Sequence, residues 1–167
     1  MKVDVFTAKG LGDGLIMMLV ANALKKEGFS VTVFNEHLPS FFSYFEGFSF
    51  QKVSEKPPFS DWIKEFDLFF IQYDHSPFSK ELLDLRKTNQ RVISFYSNFA
   101  KLQKSYVHPD DYILNRDIPI LHSLQKEMSS FLQKKVSKNI DIKNPLSLKK
   151  DPKKVLLHPF STNPQKN

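Results

Sequence analysis

The segment Gly10-Leu11-Gly12-Asp13-Gly14 carries the chain's most concentrated chemical signal, a carboxylate inside a glycine-rich turn. The apolar run Val3-Asp4-Val5-Phe6 precedes it and an apolar helical stretch from Leu15 to Lys26 follows. Asp13 is therefore expected at the mouth of a strand-to-helix turn, where open α/β sheets bind their ligands. Two readings of it stay open. As a helix cap, Asp13 would accept backbone N–H bonds and suit the helix dipole, contributing about 0.5–2 kcal/mol. As a general base, it would keep one oxygen aimed into the cleft to take a proton from a bound hydroxyl. A dinucleotide fingerprint fits less well, because Gly10 and Gly12 fill its first two places but Leu15 fills the third. The charge of Asp13 also falls where a pyrophosphate would lie.

Other candidates stand at later strand ends. His75, in Tyr73-Asp74-His75-Ser76, is placed to contact a ligand or to make a local loop hydrogen bond, and Ser94-Phe95-Tyr96-Ser97-Asn98 offers Ser94 to the same groove. His108-Pro109-Asp110-Asp111 puts one histidine beside adjacent carboxylates, a pattern of turn chemistry without a recurring ligand spacing, so no metal site is expected. The chain has no cysteine, which removes disulfides and thiolate metal sites. Its single tryptophan, Trp62, reads as packing. Phe41, Phe42, Phe45 and Phe48 either pack inward or form an exposed apolar patch for a membrane or partner.

These residues need elements to hold them. At 167 residues with 41% hydrophobic side chains, one α/β domain plus a tail is expected. Strands are predicted at Val3 to Phe6, Val31 to Phe34, Phe48 to Val53, Asp67 to Gln72 and Arg91 to Phe95. The helical stretch from Leu15 ends at Lys25-Lys26-Glu27-Gly28, cations and a glycine suited to a C-terminus. A short helix is predicted through Phe41 to Phe45, another around Ser79 to Arg86, and an amphipathic one from Ile118 to Lys135. The resulting fold class is α/β, a Rossmann-like, mostly parallel sheet with flanking helices. Residues 1–138 form the domain, the Pro- and Lys-containing stretch 139–153 reads as a linker, and 154–167 reads as the start of a second, truncated domain.

The amino terminus lacks the basic and apolar regions of a secretory signal, and the longest apolar run, Leu15 to Ala21, is far below the roughly 20 residues of a membrane span, so a soluble, cytoplasmic protein is expected. The net charge of +6 suits an anionic partner. Most of the excess lysines flank the linker, and the aromatic residues sit in apolar contexts, which argues against nucleic acid.

Two stretches carry a family resemblance. The order strand, Gly10 to Gly14, helix with Ala23-Leu24-Lys25-Lys26, Gly28 and strand Val31 to Phe34 resembles the N-terminal domain of the heptosyltransferases of the lipopolysaccharide core, glycosyltransferase family 9. Val155-Leu156-Leu157-His158-Pro159-Phe160-Ser161-Thr162-Asn163-Pro164-Gln165-Lys166 resembles that family's entry into its C-terminal domain, with Phe160 where the family usually has glycine. The resemblance implies the N-terminal half of a GT-B architecture, supplying the acceptor side of an inverting transfer to a lipid-linked core saccharide. It implies Asp13 as base, Ser161 and Thr162 in the loop that meets the donor diphosphate, and Lys166 offsetting the leaving-group charge; by their positions at the turn and at strand ends, Gly10, Gly12, Gly14, His75 and Ser94 are expected on the acceptor side. No cofactor is implied beyond ADP-heptose or a similar nucleotide-sugar donor, and the partners are the C-terminal domain and the inner face of the inner membrane, met peripherally. The alternative is a non-catalytic α/β binding or interaction module.

Overall fold

The computed structural model describes residues 1–55, 59–62, 64–88, 90–96, 107–115 and 117–143. Its strands are β1 (Lys2–Phe6), β2 (Ser30–Phe34), β3 (Ser49–Gln51), β4 (Leu68–Tyr73), β5 (Val92–Tyr96) and β6 (Tyr112–Ile113). Its helices are α1 (Leu11–Lys26), α2 (Phe59–Trp62), α3 (Pro77–Asp84) and α4 (Ile120–Phe131). The strands form one sheet in the order β3-β2-β1-β4-β5-β6, and every pairing is parallel. This is the Rossmann-like α/β arrangement expected from the alternation of strand and helix signals.

Alternate side chains of the central strands feed two cores, which is why these strands read as continuous apolar runs. Val3, Val5, Leu68, Phe70, Ile93 and Phe95 pack under α1 and α4, against Met18, Leu24, Leu124 and Met128. Phe6, Phe69, Ile71, Tyr73, Val92 and Tyr96 pack on the opposite face, against Trp62, Leu82 and Leu83. Trp62 is buried at the centre of that second core, as packing rather than as a platform.

Helix α1 begins at Leu11, not Leu15, because Gly10 takes the cap position in extended conformation (φ −68°, ψ 147°) and the residues after it are already helical. Its other end closes as the glycine predicts: Gly28 adopts φ +81°, its N–H donates to Lys25 O at 2.9 Å, and Phe29 N–H donates to Leu24 O at 3.2 Å. The aromatic stretch Leu38–Tyr44 is a 3₁₀ segment rather than an α-helix, interrupted at Phe41 (φ −114°, ψ 16°). Residues 139–143, the first part of the expected linker, still pack on the domain. Asn139 O accepts from Asn22 Nδ2 at 3.2 Å, Asp141 pairs with Lys26 at 2.8 Å, and Lys143 N–H donates to Tyr44 O at 2.8 Å. No helix among the described residues is long and apolar enough to cross a membrane.

Candidate functional site

From β1 the chain winds outward through β2 and β3, then returns to place β4 on the other side of β1. The carboxyl ends of β1 and β4 therefore flank the point where the winding reverses, the usual ligand position of an open α/β sheet. The loops there are tied together by Asn35, the fully buried residue that follows β2. Its Nδ2 donates to Thr7 Oγ1 at 2.6 Å, Ala8 O at 3.1 Å and Gly10 O at 3.3 Å. Its Oδ1 accepts from the N–H groups of His37 at 2.8 Å and Leu38 at 2.9 Å. One side chain thus bonds to both loops that leave adjacent strands.

The glycines follow from this packing. A Cβ on Gly14 would stand 2.8 Å from Asn35 Nδ2 and 3.0 Å from Leu38 Cδ1, so Gly14 lets α1 approach the β2 loop closely. A Cβ on Gly10 would stand 2.7 Å from Asp13 Oδ2, whereas one on Gly12 would meet nothing within 4 Å. The close-packing role that a dinucleotide fingerprint gives to its third glycine falls here on Gly14, one residue before Leu15.

Asp13 lies in the first turn of α1, half-buried, and the helix start has no side-chain cap. The capping reading is therefore not realised. Instead, Asp13 Oδ1 accepts from Gln72 Nε2 at 3.1 Å, while Gln72 Oε1 accepts from Ala8 N–H at 3.2 Å. Gln72 near the end of β4 holds the carboxylate against the β1 loop. Asp13 Oδ2 has no hydrogen-bond partner among the described residues.

Beside this lip lies a cleft of about 500 Å³, floored by Phe6, Ile71, Phe78 and Leu82, with Lys9, Glu36 and Asp74 among the polar residues on its walls. Neither Asp13 nor His75 lines it. A hydrogen bond from the Ser54 hydroxyl holds the Glu36 carboxyl below the usual carboxylate range. His75 is exposed, with φ +65° in the left-handed region and its ring 5.0 Å from that of Tyr73. Strand ends bring Asp13, Gln72 and the cleft together.

Ser94 sits elsewhere. It is fully buried, and its N–H donates to Asp111 Oδ1 at 2.8 Å. Asp111 also pairs with Arg86 and accepts from His108 N–H at 2.8 Å and from the Tyr96 hydroxyl at 3.3 Å. The His108 to Asp111 stretch is thus a turn clamped to β5, and no group of three or more potential metal ligands occurs among the described residues. Burial, reinforced by Asp111, pushes the Tyr96 phenol up to about 12.

No family model matches the chain, and no curated protein matches it. Among solved structures, apo UGT2 of Phytolacca americana aligns with a TM-score of 0.44 and 10% identity, over 80% of this chain and 44% of that one. The present chain thus spans less than half the length of that protein.

Three residues of consequence carried no motif. Asn35 and Gln72 are single polar residues at strand ends, and their only sequence signal is a sudden amide after an apolar run. Asp4, mid-strand in β1, is fully buried; its Oδ2 accepts from Trp62 Nε1–H at 2.7 Å and its Oδ1 has no partner among the described residues. Burial raises the Asp4 carboxyl to about 8, with the Trp62 bond opposing and Glu65 repulsion adding. Ser161, Thr162 and Lys166 lie outside the described residues.

Proposed function

We propose that this chain is the acceptor-side domain of an inverting glycosyltransferase of GT-B architecture, similar to the heptosyltransferases, with Asp13 as general base. The observation that carries the reading is Asp13 itself: a half-buried carboxylate at the sheet's switch point, with one oxygen held by Gln72 and the other open. Asp13 takes the proton of an acceptor hydroxyl as that oxygen attacks the anomeric carbon from the face opposite the leaving group. The bond to the nucleoside diphosphate breaks, and the configuration inverts. The donor is a nucleotide-sugar such as ADP-heptose, and a C-terminal domain entered near Ser161, Thr162 and Lys166 supplies the diphosphate contacts. The acceptor is a lipid-linked core saccharide lying over the open lip. Exposed Leu15, Phe41, Phe42 and Ile142 support peripheral contact with the membrane carrying it.

A non-catalytic binding module is the competing reading, favoured by the cleft standing beside Asp13 rather than beneath it. Transfer of labelled heptose to a heptose-deficient lipopolysaccharide, with the chain joined to a C-terminal domain, separates the two. Asp13→Asn is expected to slow transfer by about 10²- to 10⁴-fold while leaving the melting temperature intact. Near-normal turnover in that variant removes the base assignment.

A further inference from the structure

The cleft next to Asp13 has a chemistry of its own. Its floor is the open side of an aromatic cluster: Phe78 stacks on Trp62 at an interplanar angle of 6° and meets Phe6 edge to face, with ring centroids 5.6 Å apart. Leu82, Ile71 and Val53 complete the apolar wall. Most polar groups around it are already engaged. Thr7 Oγ1 is bonded to Asn35 and Ala8, Gln72 to Asp13 and Ala8, Glu36 to Ser54, and Ser76 to Ser79. A polyhydroxylated sugar ring placed here would leave most of its hydroxyls without partners. Two groups remain available among the described residues. Asp74 uses Oδ1 to accept from Ser76 N–H at 3.0 Å and keeps Oδ2 free, and Lys9 makes no ion pair.

We propose that this cleft binds a planar aromatic alcohol, its ring against the half-buried Phe78 and Val53 and its hydroxyl donating to Asp74 Oδ2. A flat ring matches the apolar floor, and a single acidic hydroxyl matches the single free carboxylate oxygen. The volume of about 500 Å³ lies within the range of small-molecule pockets. The site does not depend on Asp13 and is measurable without any transfer reaction.

The test is calorimetry on the chain itself with 7-hydroxy-4-methylcoumarin, its 7-methoxy ether and methyl α-mannoside. The hydroxycoumarin is expected to bind about tenfold more tightly than the ether, and the mannoside to give no heat. Asp74→Asn, which can still accept from Ser76 N–H, is expected to erase the preference for the hydroxyl while retaining ether binding. Val53→Trp, at a partly exposed position on the wall, is expected to fill the cleft and abolish both, at an unchanged melting temperature. Binding that survives Val53→Trp, equal affinities of alcohol and ether, or no binding of the coumarins overturns the proposal. Binding of the mannoside alone overturns the aromatic assignment while leaving the transferase reading standing.

Discussion

Asp4 makes the stability of this domain fall as pH rises, and replacing it with asparagine should abolish most of that fall. In the folded chain its carboxyl is raised from 3.8 to about 8 by burial, so at neutral pH it holds a proton that the unfolded chain has released. The sign follows from that inequality. Below pH 4 both states are protonated and the group contributes no penalty; between pH 4 and 8 the unfolded state alone ionises, and stability drops with each unit; above pH 8 the loss is complete. Each unit is worth about 1.4 kcal/mol, so the penalty reaches about 4 kcal/mol at pH 7 and about 6 kcal/mol beyond pH 8. Asp4→Asn keeps the acceptor for Trp62 Nε1–H and cannot ionise. Its unpaired amide hydrogens replace the unpaired acid proton of the native residue, so those costs largely cancel. Urea unfolding of both proteins between pH 4.5 and 8, followed by the fluorescence of the single tryptophan, isolates the effect, since every other titrating group appears in both curves. The variant should gain on the native chain by about 1.4 kcal/mol per unit across pH 5–7. Parallel curves would show that Asp4 ionises normally in the folded state and would refute the reasoning.

Other perturbations probe the loops that frame the site. Gly14→Ala drives a methyl group to 2.8 Å from Asn35 Nδ2, so a loss of about 1–3 kcal/mol is expected by urea titration even though alanine is the better helix former; a neutral or stabilised variant would show that Asn35 yields. Arg86→Ala leaves the fully buried Asp111 side chain without its cation, an expected loss of about 3–5 kcal/mol. A loss under about 1 kcal/mol would mean that the N–H groups of Ser94 and His108 suffice to hold the charge.

Sequence reasoning reached the framework because the framework depends on patterns with a period. The apolar runs at Val3 to Phe6, Asp67 to Gln72 and Arg91 to Phe95 mark β1, β4 and β5 within a residue or two, and Gly28 marks the end of α1. It missed where local pattern gives way to tertiary contact. The start of α1 was obscured because glycines at positions 12 and 14 read as turn residues, yet Gly14 is helical to make room for Asn35. β6 has only Tyr112–Ile113 and is held by its pairing with β5, so no run announces it. Ser94 is expected at a strand end facing a groove, but it is fully buried within β5 and its backbone N–H is taken by Asp111, the partner of Arg86. Asp13 is on the expected edge; its partner Gln72 comes from a strand far along the chain, a contact no local window contains.

The central place of β1 has a consequence for biosynthesis. Of the six strands β1 is made before the others and finds β2 soon after, yet the partner of its other edge, β4, follows only after β3 and the segment carrying Trp62. Until then one edge of β1 is open to any extended chain nearby. Asp4, charged while water still reaches it, puts a negative group in the middle of that open strand, and an inward charge of this kind discourages stray pairing. When β4 and Trp62 arrive the carboxyl takes up a proton and is sealed, so the same residue that weakens the finished domain at neutral pH guards it while it is half made.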